Sequence, residues 1–85
     1  MNYRVEVRPS AVRALRKVHP KDRSRIQGAI TLLAQYPRPL GAISLKGRDG
    51  YRVRVGDYRI IYTIQDHVLL VVVVDLGHSK EIYTR

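Results

Sequence analysis

Two spacings of apolar residues organise the first half of this chain. Tyr3, Val5 and Val7 alternate with Arg4, Glu6 and Arg8, the two-residue period of a half-buried strand, and Pro9 ends it. The period then lengthens. Ala11, Ala14, Leu15 and Val18 recur at helical spacing, which predicts a short amphipathic helix with Ser10 as its cap and Arg13, Arg16 and Lys17 turned outward. Pro20 interrupts that pattern and serves as the first residue of a second helix, capped by His19 or, if it starts later, by Asp22. Ile26, Ala29, Ile30, Leu33 and Ala34 form its apolar stripe, which stops before Pro37. Helices joined this closely make an αα-hairpin.

Residues 37–50, PRPLGAISLKGRDG, have prolines, glycines and no periodicity, and read as a loop crossing back to a sheet. Tyr51 to Val55 and Tyr58 to Ile64 follow as strands around Gly56-Asp57, a two-residue hairpin turn. Val68 to Asp75 is apolar on both faces and is therefore expected centrally. Leu76 to Ser79 reads as a glycine-containing bend, and KEIYTR as a short last strand or tail. The expected fold is one α+β domain over residues 1–85, in the order βααβββ with a possible further strand. Its twisted, antiparallel-rich sheet carries the helical hairpin on one face.

Composition narrows the partners. The chain has 85 residues, and 16 Lys and Arg against 7 Asp and Glu give a formal charge of +9. Such a surface draws in polyanions, so nucleic acid, ribosomes and acidic proteins are the partners to weigh. The longest apolar run, Val68 to Val74, is too short to span a bilayer, and the first residues lack the apolar stretch of a signal peptide. With no cysteine, thiolate metal sites and cysteine nucleophiles are excluded, and a cytoplasmic location is expected. His19, His67 and His78 are scattered without paired carboxylates, which makes no metal site, and no glycine-rich phosphate loop or other cofactor motif is present.

The hairpin concentrates the charge. With Gly56 and Asp57 as its loop, residue 55 lies opposite 58, 54 opposite 59 and 52 opposite 61. Val53, Val55, Tyr58, Ile60 and Tyr62 then share the core face, and Arg52, Arg54 and Arg59 share the other. Arg54 and Arg59 become direct cross-strand neighbours, and like charges so placed are destabilising. A solvated sheet face is the plain reading of any one of them. Three guanidiniums converging on one patch suit an anion, because each matches phosphate oxygens bidentately and keeps its charge at any working pH.

Residues 45–83, LKGRDGYRVRVGDYRIIYTIQDHVLLVVVVDLGHSKEIY, resemble the RelE/ParE superfamily of toxin–antitoxin toxins, and the strand and helices before them are similar in order. The parts that carry the resemblance are the LKG lead-in, the YRVRVGDYRIIY hairpin, the valine strand and the LGHSKEIY ending. It implies a RelE-like fold and an mRNA interferase that cuts the codon in the ribosomal A site without metal. The site residues it implies are Arg52, Arg54, Arg59 and Tyr83, with Lys80 matching a basic residue after the last central strand. Lys46, Arg48, Lys80 and Arg85 are the expected RNA contacts. Ser79 departs from the pattern, standing where relatives commonly carry arginine. The implied partners are a RelB-like antitoxin, the ribosome and its message, with a toxin–antitoxin hetero-oligomer binding operator DNA.

Metal-free RNA cleavage needs a base near the 2′-oxygen, cations at the phosphorane and an acid at the leaving oxygen. Arginine makes a poor base, so Tyr83 is the first candidate to move or orient the proton; packing of a terminal aromatic is the plain alternative. His78, after Gly77 in the expected bend, is the second candidate, against a turn histidine that only binds backbone groups. Glu81 is a weaker candidate and reads equally as a salt-bridge partner. The helix cations Arg13, Arg16, Lys17, Lys21, Arg23 and Arg25 read as a solubilising outer surface, or as holds for rRNA phosphates. Two other readings stay open: a ParE-like gyrase inhibitor on the same scaffold, and a basic nucleic-acid-binding module without activity.

Overall fold

The computed structural model describes residues 2–79. Their elements are β1 (Arg4–Val7), α1 (Pro9–Arg16), α2 (Pro20–Leu33), β2 (Ile43–Ser44), β3 (Tyr51–Val55), β4 (Tyr58–Gln65) and β5 (Leu70–His78), with a 3₁₀ turn at Asp66–Val68. One sheet takes the order β1-β5-β4-β3-β2, with β1 parallel to β5 and the other pairs antiparallel. Both helices lie on one face of it. Ala11, Val18, Ile26, Ile30 and Leu33 from the helical hairpin meet Ile60, Tyr62, Val71, Val73 and Leu76 in a single buried cluster. Burying side chains of this size stabilises the fold by roughly 1.5–3 kcal/mol each. Tyr62, wholly buried, donates its hydroxyl to the Pro37 carbonyl at 2.7 Å, which satisfies the one polar atom it brings inside. No helix among the described residues is long and apolar enough to cross a membrane.

The βααβββ order, the helical hairpin and the interior position of the valine strand match the expectation, as does the start of α2. Pro20 opens that helix, and His19 Nδ1 accepts the Lys21 backbone N–H at 3.1 Å. Four details differ. Arg8, not Ser10, stands at the N-cap of α1, with Pro9 as the first helical residue. A fifth strand appears as β2, two residues long, inside the expected loop and paired with β3. Val68 belongs to the 3₁₀ turn, which ends at Leu69 in the left-handed region (φ 53°), so β5 begins at Leu70. And β5 does not bend at Leu76 but runs through to His78. The expected last strand or tail, residues 80–85, lies outside the described residues.

A bulge accounts for the phase of β5 beyond Val73 and for the displaced Ser10. Tyr62 pairs with Val73 while Ile61 pairs with Asp75, so Val74 is an extra residue in β5. Unbroken alternation from Val73 would send Asp75 and Gly77 towards the helices. The extra residue reverses the phase, so that Leu76, only 1% exposed, faces the core. Ser10 Oγ donates to the Val74 carbonyl at 2.9 Å, supplying the hydrogen bond that the bulge removes from the ladder.

Candidate nucleic-acid interface

The hairpin register follows from its turn. Gly56 has φ +60° and Asp57 does not have a positive φ, the II′ pattern, in which glycine supplies the first central residue. That loop pairs Val55 with Tyr58, Arg54 with Arg59, Val53 with Ile60 and Arg52 with Ile61. Because paired residues share a face and faces alternate, Arg52, Arg54 and Arg59 all stand on the side away from the helices. Val53, Val55 and Tyr58 pack against the core on the other. Arg54 is exposed and donates Nε to the Gly56 carbonyl at 2.8 Å, which folds its guanidinium towards the turn; Arg52 and Arg59 are half-buried.

Beneath these cations the sheet is largely apolar, with one carboxylate, Asp75, on the same face as the cross-strand partner of Ile61. Ile61, opposite Arg52, is 7% exposed and Val72, opposite Thr63, is 9% exposed, although the register puts both on the face without helices. Guanidiniums beside such a floor act on a bound anion through less water, which strengthens the attraction. A fourth arginine reaches the hairpin turn from α2. The Arg25 guanidinium lies 3.5 Å from where a Cβ on Gly56 would stand. No local sequence pattern marks Arg25, because the approach joins positions 31 residues apart.

His78 lies elsewhere. It is the cross-strand partner of Tyr58, and their rings meet edge to face with centroids 5.6 Å apart. Tyr58 faces the helices, so the bulge at Val74 carries His78 to the opposite side of the sheet from the three arginines. Lys46 and Arg48 sit in the exposed loop between β2 and β3, at the end of β3 remote from the turn. Arg48 lines a cleft of about 580 Å3 there, together with Arg38, Asp49, Tyr51 and Thr63. Tyr83, Lys80, Arg85 and Glu81 lie outside the described residues. Among the described residues no group of three potential metal-ligating side chains occurs.

The far end of the sheet carries a different cluster, one that sequence periodicity does not reveal. Arg38 forms a two-pronged ion pair with Asp66 at 3.2 and 2.7 Å, donates Nε to Tyr51 Oη at 3.1 Å, and stacks its guanidinium over the Tyr51 ring. Tyr3 donates its hydroxyl to the same carboxylate at 2.6 Å. Hydrogen bonds from Arg38 and Tyr3 hold the Asp66 carboxyl down at about 2. Tyr3 is raised from its ordinary value, chiefly because its proton is held by Asp66, and burial pushes Tyr62 up to about 12. These phenols keep their protons at neutral pH. The cluster ties the chain start, the segment after α2 and the β4–β5 turn together.

A third use of arginine occurs between the helices. Arg23 donates to the carbonyls of Leu15, Arg16 and Val18 at 3.0–3.2 Å, closing the C-terminal end of α1. It belongs to the structural framework rather than to the outer surface expected for the helix cations.

Comparison with known proteins agrees with this architecture. The family model described as the ParE toxin of the type II toxin-antitoxin system, parDE, matches residues 5–83. The chain is similar to RelE in the archaeal RelE–RelB complex of Pyrococcus horikoshii, at 30% identity over 92% of this chain and 96% of that one, with a TM-score of 0.82. It is also similar to a chain of a RelBE toxin–antitoxin complex from Mycobacterium tuberculosis, at 26% identity over 92% and 99% of the two chains, with a TM-score of 0.80. The isolated Escherichia coli RelE toxin shares the fold, with a TM-score of 0.78 at 23% identity, covering 96% of this chain and 92% of that one. Among curated proteins no match was found. The family match over nearly the whole chain and the shared mixed sheet lead to one assignment: this protein belongs to the RelE/ParE superfamily and is a toxin of a type II toxin–antitoxin system.

Proposed function

We propose that this toxin is an endoribonuclease that enters the ribosomal A site and cuts the message there, with Arg52, Arg54 and Arg59 gripping the scissile phosphate. The observation that carries the reading is the pairing of Arg54 directly with Arg59 on the face without helices, with Arg52 two residues along β3. Like charges set directly opposite one another repel, and a phosphodiester bound between them would relieve that repulsion.

The chemistry follows from what these residues can and cannot do. The ribose 2′-oxygen attacks the adjacent phosphorus and the bond to the 5′-oxygen breaks, leaving a 2′,3′-cyclic phosphate and a 5′-hydroxyl. Negative charge grows on the phosphorane oxygens, and guanidiniums held on that face of the sheet would stabilise it. Arginine does not give up its proton, so proton transfer falls to another group, and Tyr83 is the residue we assign. His78 has no part in this scheme, because it faces the helices. A RelB-like antitoxin is the expected inhibitor, since the P. horikoshii relative is a RelE–RelB complex. Its acidic segment would cover the arginine face, and the cytoplasm, where translation occurs, is the setting.

The family model that matches is described as a ParE toxin, which favours a second reading, gyrase inhibition without nuclease chemistry. Mapping 5′ ends on a translated message, with and without ribosomes, separates the two. The expected result is cleavage in the A-site codon that needs ribosomes, reduced about 10²-fold or more by Arg59→Ala with the fold intact. DNA breaks alongside intact message would overturn the nuclease reading.

A further inference from the structure

The hairpin turn brings a second pair of arginines together. Arg25 comes from α2, on the helix side of the sheet, and Arg54 comes from β3 on the other face, yet both guanidiniums end beside Gly56. Arg54 Nε donates to the Gly56 carbonyl at 2.8 Å. The guanidinium carbon of Arg25 lies 3.8 Å from where a Cβ on Gly56 would stand, and its two terminal nitrogens lie at 3.5 and 3.9 Å. An end-on approach would set the carbon behind both nitrogens. A carbon distance between the two means that the group lies flat along the glycine. Its N–H bonds lie in its own plane, so they point past Gly56 rather than at it.

Neither guanidinium has found a counter-charge. Asp22 precedes Arg25 by three positions, the spacing at which helix residues form ion pairs, and Asp57 follows Gly56 directly. Among the described residues no ion pair engages Arg25, Arg54 or either of these carboxylates, and Arg25 donates no side-chain hydrogen bond. Both arginines are exposed. A guanidinium with open N–H edges, next to another that has committed only its Nε, is a receptor for oxyanions, because each open edge matches two phosphate oxygens. Any oxyanion would satisfy the pair alone. What singles out a nucleic-acid strand is continuity: Arg54 is the cross-strand partner of Arg59 and lies two residues from Arg52, so the cations run unbroken from the sheet face over the turn to Arg25. A strand that carries one charge per nucleotide matches such a row.

We propose that the hairpin turn holds the phosphate next to the scissile one, gripped between Arg25 and Arg54 as the RNA strand passes over Gly56. The inference rests on the reading of the arginine face as the RNA site, and it adds a binding residue that has no part in bond breaking. Arg25 reaches the turn from the helix side, away from the scissile phosphate, so its loss weakens the hold on the strand rather than the chemistry.

The test uses the full-length protein and a 2′-O-methyl RNA heptamer, which lacks the nucleophile for cleavage, so that fluorescence anisotropy reads binding alone. Arg25→Gln weakens binding about 5-fold and lowers the logarithmic salt slope by about 0.7, the share of one phosphate on a single strand. Its urea midpoint stays that of the parent, because Arg25 holds nothing within the fold. Replacing the linkages one at a time with uncharged methylphosphonate finds a single position where Arg25→Gln costs nothing further, adjacent to the one where Arg59→Ala costs nothing further. Arg16→Gln, at an exposed position on α1, controls for charge alone. Equal weakening by Arg16→Gln would overturn the proposal, as would a loss seen on ribosomes but not with the heptamer, which would move Arg25 to ribosomal RNA. Unchanged binding by Arg25→Gln beside clear weakening by Arg52→Ala would overturn it too, and would leave the arginine face standing. Weakening by Arg25→Gln with none from Arg52→Ala or Arg59→Ala would instead sink the arginine face and keep the turn as a phosphate site.

Discussion

At the end of the sheet where β4 turns into β5, Arg38 meets the Asp66 carboxylate in a two-pronged ion pair; at the other end, where β3 turns into β4, Arg54 meets Arg59. The first arginine places three of its five N–H groups on a carboxylate and a phenol oxygen and lays its plane over a ring. At the hairpin, Arg54 donates to a backbone carbonyl, which satisfies one N–H but leaves the positive charge uncompensated. The same side chain is thus a fastener at one end and half of a like-charged cross-strand pair at the other. Only the second arrangement gains when an anion arrives.

Exchanging the two kinds of arginine should give opposite phenotypes, and this is the largest effect expected. Arg38→Met removes the ion pair, the Tyr51 hydrogen bond and the stacking, and lowers the melting temperature by a few degrees without touching cleavage. Arg52→Ala leaves the melting temperature nearly unchanged and reduces cleavage. Thermal melts and message-cutting assays on both variants check the pair. The acid limb of the stability curve sharpens the contrast. The Asp66 carboxyl sits at about 2 when folded, against 3.8 as its ordinary value. Its contribution is therefore fully present above about pH 4 and is lost as pH falls towards 2. Asp66→Asn should flatten that part of the curve; an unchanged acid limb would show that the ion pair does not form in solution.

A smaller effect separates the cations on the helices. Arg23→Ala leaves three carbonyls at the end of α1 without their donor and should cost about 1 kcal/mol in urea denaturation, whereas Arg16→Ala, an exposed side chain, should cost almost nothing. Equal costs would place Arg23 with the surface cations after all.

These three uses of arginine differ in how far the sequence discloses them. Local signals were readable. Gly56-Asp57 between alternating strands determined the hairpin register and hence the common face of Arg52, Arg54 and Arg59, and Pro20 after His19 marked the start of α2. What stayed hidden depends on contacts between distant segments. Tyr3, Arg38 and Asp66 converge from three parts of the chain, and Arg23 reaches back to carbonyls of the preceding helix. The Val74 bulge is hidden for another reason. In the run LVVVV every residue is apolar, so no polar position marks which one is extra, and the phase of everything after it, His78 included, is lost. Ser10 looked like a helix cap because serine favours that position; its hydroxyl instead satisfies the bulge carbonyl, a partner 64 residues away.

The smallest effect tests the idea on which the arginine face rests. If the Arg54–Arg59 pairing stores repulsion, Arg54→Gln should raise stability by about 0.2–1 kcal/mol, because it removes one charge while keeping a side chain of similar reach. Arg54→Lys, which keeps the charge, should not. The gain should also shrink as salt rises, since the exposed Arg54 is open to screening, and urea midpoints at low and high ionic strength measure this directly. A glutamine variant no more stable than the parent would mean that the sheet bears the two guanidiniums without cost. Their placement would then give no reason to expect a phosphate between them, and the contrast with Arg38 would reduce to a difference in partners.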